Sequence, residues 1–218
     1  MKKITLLLAV ALMAIATNAS AQFVNGGSRS SMVADTDNYS RLELGYSPMS
    51  IGELDLTGVS MGWTKGVNLT KSLPLFLEVG ANVMYGFHKE KDEDYEDKTS
   101  LLTINVPVTV AWKFSFAESF SLIPHVGLNL RGNILGKSTT EYEYYDDWDD
   151  EYYTEEVDLF GSNEDVGKGK RFNVGATVGF AANFKKFTVG LGYTFDFNET
   201  WEFVDKTNYL TVSVSMNF

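Results

Sequence analysis

The side chains able to do chemistry fall into two groups, one inside segments of alternating polarity and one between them. On the polar face of the alternating segments stand Arg41, Glu43, Glu78, His125, Arg131, Arg171 and Asp196. Guanidinium, carboxylate and imidazole in one enclosed space must pair, because unpaired buried charge is costly. Such a network could be a gated ion or proton path, or a structural plug of Arg–carboxylate pairs. Its register predicts two clusters, Arg131, Arg171 and Asp196 toward one rim and Arg41, Glu43 and Glu78 toward the other. The second group is acidic. Glu90, Asp92, Glu93, Asp94, Glu96 and Asp97 crowd one link, and Glu141 to Asp158 hold ten more carboxylates interleaved with Tyr142, Tyr144, Tyr145, Trp148, Tyr152 and Tyr153. Oxygen ligands at this density suit weak divalent-cation binding, with Asp146, Asp147, Asp149, Asp150 and Glu151 as candidates. That run lacks the turn glycine and distal glutamate of an EF-hand. Tyrosine and tryptophan supply rigid area for a protein partner, and a solvated loop with neither role is the plain alternative.

Enzyme signals are poor. The two histidines are His88, at a segment end, and His125, on the polar face; no Ser, Asp or Glu lies at a motif distance that compels a catalytic reading. Neither a cofactor nor catalysis is expected. Cysteine is absent, so the chain has no disulfide or thiolate metal site. The formal net charge of -11, or -13 without Lys2 and Lys3, disfavours nucleic acid.

The elements that must position these groups follow from compartment and period. Lys2 and Lys3, the apolar run Ile4 to Ala16 and the small residues of Ala19-Ser20-Ala21 form an export signal cleaved after Ala21. Residues 22–37 then read as a short periplasmic segment, and 38–218 as one domain. Mean hydropathy is -0.12, and after the signal no stretch approaches the ~20 apolar residues of a membrane helix. Read in steps of two, however, eight segments alternate: 39–47, 58–69, 75–87, 100–114, 119–134, 170–184, 186–198 and 207–218. Each nears the ~9–11 residues that a tilted strand needs to cross a bilayer. Lys65 on the apolar face of the second predicts a bulge, snorkelling or a shifted boundary. Pro124 in the fifth predicts a bulge or a strand end, since it cannot donate to a ladder.

Short links at 70–74, 115–118 and 185–186 alternate with long ones at 48–57, 88–99, 135–169 and 199–206. An up-and-down barrel with periplasmic turns and external loops gives that alternation. One face is Leu, Val and Phe; the other is Gly, Ser, Thr and Asn, a poor dry core but a suitable filling for a narrow eight-stranded lumen. Phe76, Trp112, Phe114, Phe120, Phe184, Phe187 and Phe218 gather toward one end, and Tyr46, Tyr85, Phe87, Tyr193, Phe195 and Phe197 toward the other, as two interfacial girdles. The expected fold is all-β: an eight-stranded antiparallel up-and-down transmembrane β-barrel.

The last strand ends in Phe218 after alternating Val214 and Met216, with Tyr209 at its start, and resembles the C-terminal signal read by the barrel-assembly machinery. The stretch Leu69-Thr70-Lys71-Ser72-Leu73-Pro74-Leu75-Phe76-Leu77-Glu78-Val79-Gly80 resembles the turn-plus-strand pattern of the bacterial outer membrane protein β-barrel domain family, with its small OmpA- and OmpX-like barrels. The resemblance covers nearly all of the chain after the signal. It implies outer-membrane localisation and lipid and the assembly machinery as partners. The functional expectation is a non-enzymatic anchor displaying acidic, aromatic loops for structure, adhesion or binding, with a surface protein or divalent cations as further partners. Solute or ion transport is the alternative; a lipid-modifying enzyme and a soluble lipocalin-like binder stand behind it.

Overall fold

The computed structural model describes residues 36–92, 95–117, 119–145, 150–161, 169–201 and 206–218. The export signal at 1–21 and nearly all of the 22–37 segment lie outside the described residues. Alternating polarity, frequent β-branched and aromatic residues, and scarce proline favour extended backbone. The described chain is almost wholly strand: β1 Tyr39–Tyr46, β2 Met49–Ile51, β3 Leu54–Thr70, β4 Leu73–Lys91, β5 Tyr95–Trp112, β6 Phe114–Ala117, β7 Phe120–Tyr145, β8 Asp150–Asp158, β9 Phe172–Phe184, β10 Phe187–Asp196 and β11 Thr207–Asn217.

Eight of these close into a ring in the order β1, β3, β4, β5, β7, β9, β10, β11, antiparallel throughout. Leu44 shows the closure, paired with Val214 on one side and Met61 on the other. A closed ring has no free edge, so its backbone groups satisfy one another. This is the eight-stranded up-and-down barrel that the alternation predicts. The three remaining strands are additions: β2 joins β3 and β11, β6 continues pairing along β7, and β8 folds back on β7.

Side chains alternate across the wall. Leu44, Met61, Val126 and Val214 each expose more than half of their surface outward, while Thr64, Glu78, Asn129 and Ser213 between them are buried inside. The predicted bulge at Lys65 is absent: its pairing with Ser40 and Val79 is continuous, and the register shift falls at Asn68/Thr70 instead. Pro124 stays inside β7, in register with Phe180, opposite the break in its other neighbour. Pairing there jumps from Ala111–His125 to Phe114–Leu122, so the missing N–H meets no ladder. Phe76 corrects the girdle reading, being fully buried inside the barrel.

The long links carry strand where the sequence suggests loop. Residues 49–51 and 54–56 pair, β4 and β5 run past the wall to Lys91 and Tyr95, and β7 continues to Tyr145 with β8 beside it. Two apolar clusters occupy the lumen. Phe76, Ala111, Ile123 and Ala181, with Tyr39 against them, fill the end that carries both strand termini. Met49, Ile51, Leu56, Met84, Leu101, Leu159, Phe160, Trp201 and Tyr209 fill the other.

Candidate functional site

Between the apolar clusters lies a polar column. Going up from the terminal end, alternate residues of β1, β4, β5 and β7 bring Arg41, Glu43, Glu78, Thr109 and His125 to one level. Arg41 Nε donates to Glu43 Oε1 at 2.7 Å, and its Nη1 lies 2.9 Å from Glu78 Oε1. The Tyr39 hydroxyl donates to Glu78 Oε1 at 2.6 Å and the Thr109 hydroxyl to Oε2 at 3.0 Å. One buried carboxylate thus has two hydroxyl donors and an ion-paired guanidinium, which is how charge survives away from bulk water. Tyr39 also carries two cations over its ring, Arg41 Cζ at 5.8 Å and Lys113 Nζ at 5.6 Å. Gly66 permits this arrangement, since a Cβ there would stand 2.4 Å from Tyr39 Cζ.

Above this cluster is a cavity of about 100 Å³ lined by Glu43, Thr64, His125, Asn129, Thr177 and Tyr209, among others. That is room for several waters. The waist above it is a closed set: Asn129 donates to Asn105 Oδ1 and Tyr209, Tyr209 donates to the same Asn105 oxygen, and Thr194 donates to Thr177.

The second charge pair sits higher. Arg131 Nη2 lies 2.5 Å from Asp196 Oδ2, and both side chains are wholly buried. The same nitrogen donates to Thr200 at 2.9 Å and Thr207 at 2.8 Å. Over it closes the apolar cap. Trp201 Nε1 donates to the Leu159 carbonyl at 2.9 Å, and its ring stacks on Phe160 at 6.1 Å. Gly136 makes room for Phe160, whose Cε2 would lie 2.5 Å from a Cβ there.

The predicted luminal residues are therefore brought together in two groups, with one exception. Arg171 keeps the inward parity but precedes β9, beyond the lumen. It is exposed, donates to the Ile134 carbonyl at 3.1 Å and lies over the outside of Phe160. Tyr39, Thr109, Asn105, Asn129, Thr200 and Thr207 belong to the networks but were not singled out from the sequence. Parity with Arg41, Glu78 and Arg131 was the available signal for the strand residues; nothing marked Thr200. In the C-terminal strand Val214, Met216 and Phe218 point outward and Tyr209 inward.

Outside the ring, β4, β5, β7 and β8 extend as a protruding sheet. Tyr95, Tyr142 and Tyr153 stand directly opposite one another across three strands, with Asp97, Thr140 and Glu155 as the next row on that face. On the other face Glu96 takes Lys98 at 2.6 Å and Lys89 at 2.9 Å. Those two ammonium hydrogen bonds hold its carboxyl down at about 2. Of the metal candidates, Asp146, Asp147 and Asp149 lie outside the described residues, as do the side chains of Asp150 and Glu151. Among the described residues no group of three His, Cys, Asp or Glu could hold a metal ion.

No protein-family model and no curated protein matches the chain. Solved structures similar to it include the attachment invasion locus protein Ail of Yersinia pestis in complex with a heparin analogue (11% identity, 83% of this chain and 97% of that one, TM-score 0.41). Others are the Neisserial surface protein A (12%, 83% and 95%, TM-score 0.42) and a major outer membrane protein of Thermus thermophilus (12%, 84% and 100%, TM-score 0.45). At this level of likeness the architecture rests on the chain's own strand pairing: an eight-stranded antiparallel ring.

Proposed function

We propose that the chain is a non-enzymatic outer-membrane barrel that holds an acidic, tyrosine-bearing β-sheet out from the cell surface to bind a protein partner. The observation that carries the membrane reading is inverted polarity. A ring of Leu, Val, Met and Phe is exposed outward while Thr, Asn, Ser, Arg and Glu are buried within, which is unfavourable in water and favourable in lipid. The end with the turns and termini then faces the periplasm. Val214, Met216 and Phe218 form the outward stripe that the assembly machinery would read.

The binding reading is supported by the protruding sheet. Its strands are continuous with the barrel wall, so its tyrosine row is held on a rigid frame, and adjacent carboxylates suit a cationic partner surface. Transport is disfavoured by the apolar plugs at both ends of the lumen. A lipid-acting enzyme would need its histidine at the outer face, whereas His125 lines the cavity and His88 bonds the Asp55 carbonyl. The test joins Thr140 to Glu155 by an Asn-Gly turn, removing Tyr142 and Tyr153 but sparing Leu159 and Phe160. The variant should still insert and run as a heat-modifiable band, and lose binding of the chain to surface protein of a neighbouring cell. Retained binding would overturn the display role; failed insertion would make the hairpin part of the fold.

A further inference from the structure

Nine lysines of the barrel fall into two sets, with Lys113, over the Tyr39 ring, and Lys206, just before β11, apart from both. Toward the protruding sheet, Lys89, Lys91, Lys98, Lys137 and Lys170 each have a glutamate within ion-pair distance. At the terminal end, Lys65, Lys71, Lys185 and Lys186 are exposed and have no such partner among the described residues. They lie on one continuous sector of the ring, β9, β10, β11, β1, β3 and β4.

Two of them occupy positions that ordinarily disfavour lysine. Lys65 points outward in line with Trp63 and Val67, on the face that meets lipid. A charge there costs free energy unless its stem carries the ammonium to a polar layer. Lys185 takes a left-handed backbone, φ 54°, in the two-residue turn from Phe184 to Phe187. Glycine or asparagine would sit there with less strain. The turn is braced rather than loose, because Asn217 donates its side-chain amide to the Lys185 carbonyl at 3.0 Å and its backbone N–H to the Lys186 carbonyl at 2.8 Å. Exposed Phe184, Phe187, Phe218 and Leu69 surround these cations with apolar surface.

We propose that Lys65, Lys185 and Lys186, with Lys71, form a docking surface for the phosphate headgroups of anionic phospholipids in the periplasm-facing leaflet. The proposal rests on the membrane-barrel reading. Apolar side chains take the acyl chains, and the Lys65, Lys71, Lys185 and Lys186 ammoniums, which have no ion-pair partner among the described residues, meet the phosphates at the terminal end. Each lysine near a charged leaflet adds to that attraction, and salt weakens it.

The experiment refolds the full mature chain into phosphatidylcholine vesicles containing either brominated phosphatidylglycerol or an equal mole fraction of brominated phosphatidylcholine. Quenching of tryptophan fluorescence is compared, with Trp63 two residues from Lys65 as the reporting ring. The same pair is run on a Lys65→Gln, Lys185→Asn, Lys186→Gln variant. The wild type should be quenched several-fold more by the anionic lipid, the preference should fall with added salt, and the variant should show little preference. Equal quenching by the two lipids, or a preference that survives in the variant, would overturn the docking surface while leaving the barrel intact. Absence of a heat-modifiable band together with no quenching by either lipid would instead remove the membrane reading, and the proposal with it.

Discussion

The two Arg–carboxylate sites of the lumen use the same chemistry under different solvation. Arg41, Glu43 and Glu78 border the cavity, and Glu43 keeps a quarter of its side chain exposed. Arg131 and Asp196 are sealed between the asparagine–tyrosine waist and the apolar cap, with no exposure at all. The lower site can exchange a lost partner for water; the upper one cannot. Only the upper pair should therefore behave as a sealed buried ion pair, costly to break and replaceable as a unit.

That difference can be broken experimentally. Arg131→Met leaves Asp196 without its cation and should cost about 3–5 kcal/mol of stability in urea unfolding from detergent micelles, whereas adding Asp196→Leu should restore most of it. Arg41→Met should cost less, about 1–3 kcal/mol, because Tyr39 and Thr109 still donate to Glu78 and water can enter. Equal costs would mean that the cavity does not solvate the lower site. Gly66→Ala, which drives a methyl into the Tyr39 ring, should cost about 1–3 kcal/mol and tests whether Tyr39 is pinned. Trp201→Phe keeps the stacked ring but loses the bond to Leu159, for about 1 kcal/mol, and should speed amide exchange in the cap without moving the barrel's unfolding midpoint far.

Acid should act elsewhere and most weakly. The Glu96 carboxyl titrates at about 2, below the ordinary glutamate value of 4.5, so its contribution is present above about 4.5 and lost as pH falls through about 2. The expected sign is loosening of the β4–β5 tip below pH 4.5, seen as faster amide exchange at Tyr95 to Lys98, with the ring unchanged.

The wall was legible because its period of two survives at nearly every outward position. Alternation failed where the lumen itself turns apolar. Met84 lies between Val83 and Tyr85, Leu101 beside Leu102, and Phe76 between Leu75 and Leu77, so inward and outward residues merge into one apolar run. Composition hid β8, whose acidic residues read as solvated loop although it pairs along β7 from Asp158 to Asp150. Arg171 misled for a different reason: parity specifies a face, but only the barrel's height decides whether that face is still enclosed.

The central claim is that the apolar face is the outer one and meets lipid. Because the chain has no cysteine, single cysteines at positions 212 to 216 of β11 can be spin-labelled in vesicles and probed with oxygen and a water-soluble nickel chelate. Labels replacing Val212, Val214 and Met216 should be accessible to oxygen and shielded from nickel, and those replacing Ser213 and Ser215 should not favour oxygen. The reverse alternation, with the valine positions open to nickel, would show a water-facing outer wall and contradict the account.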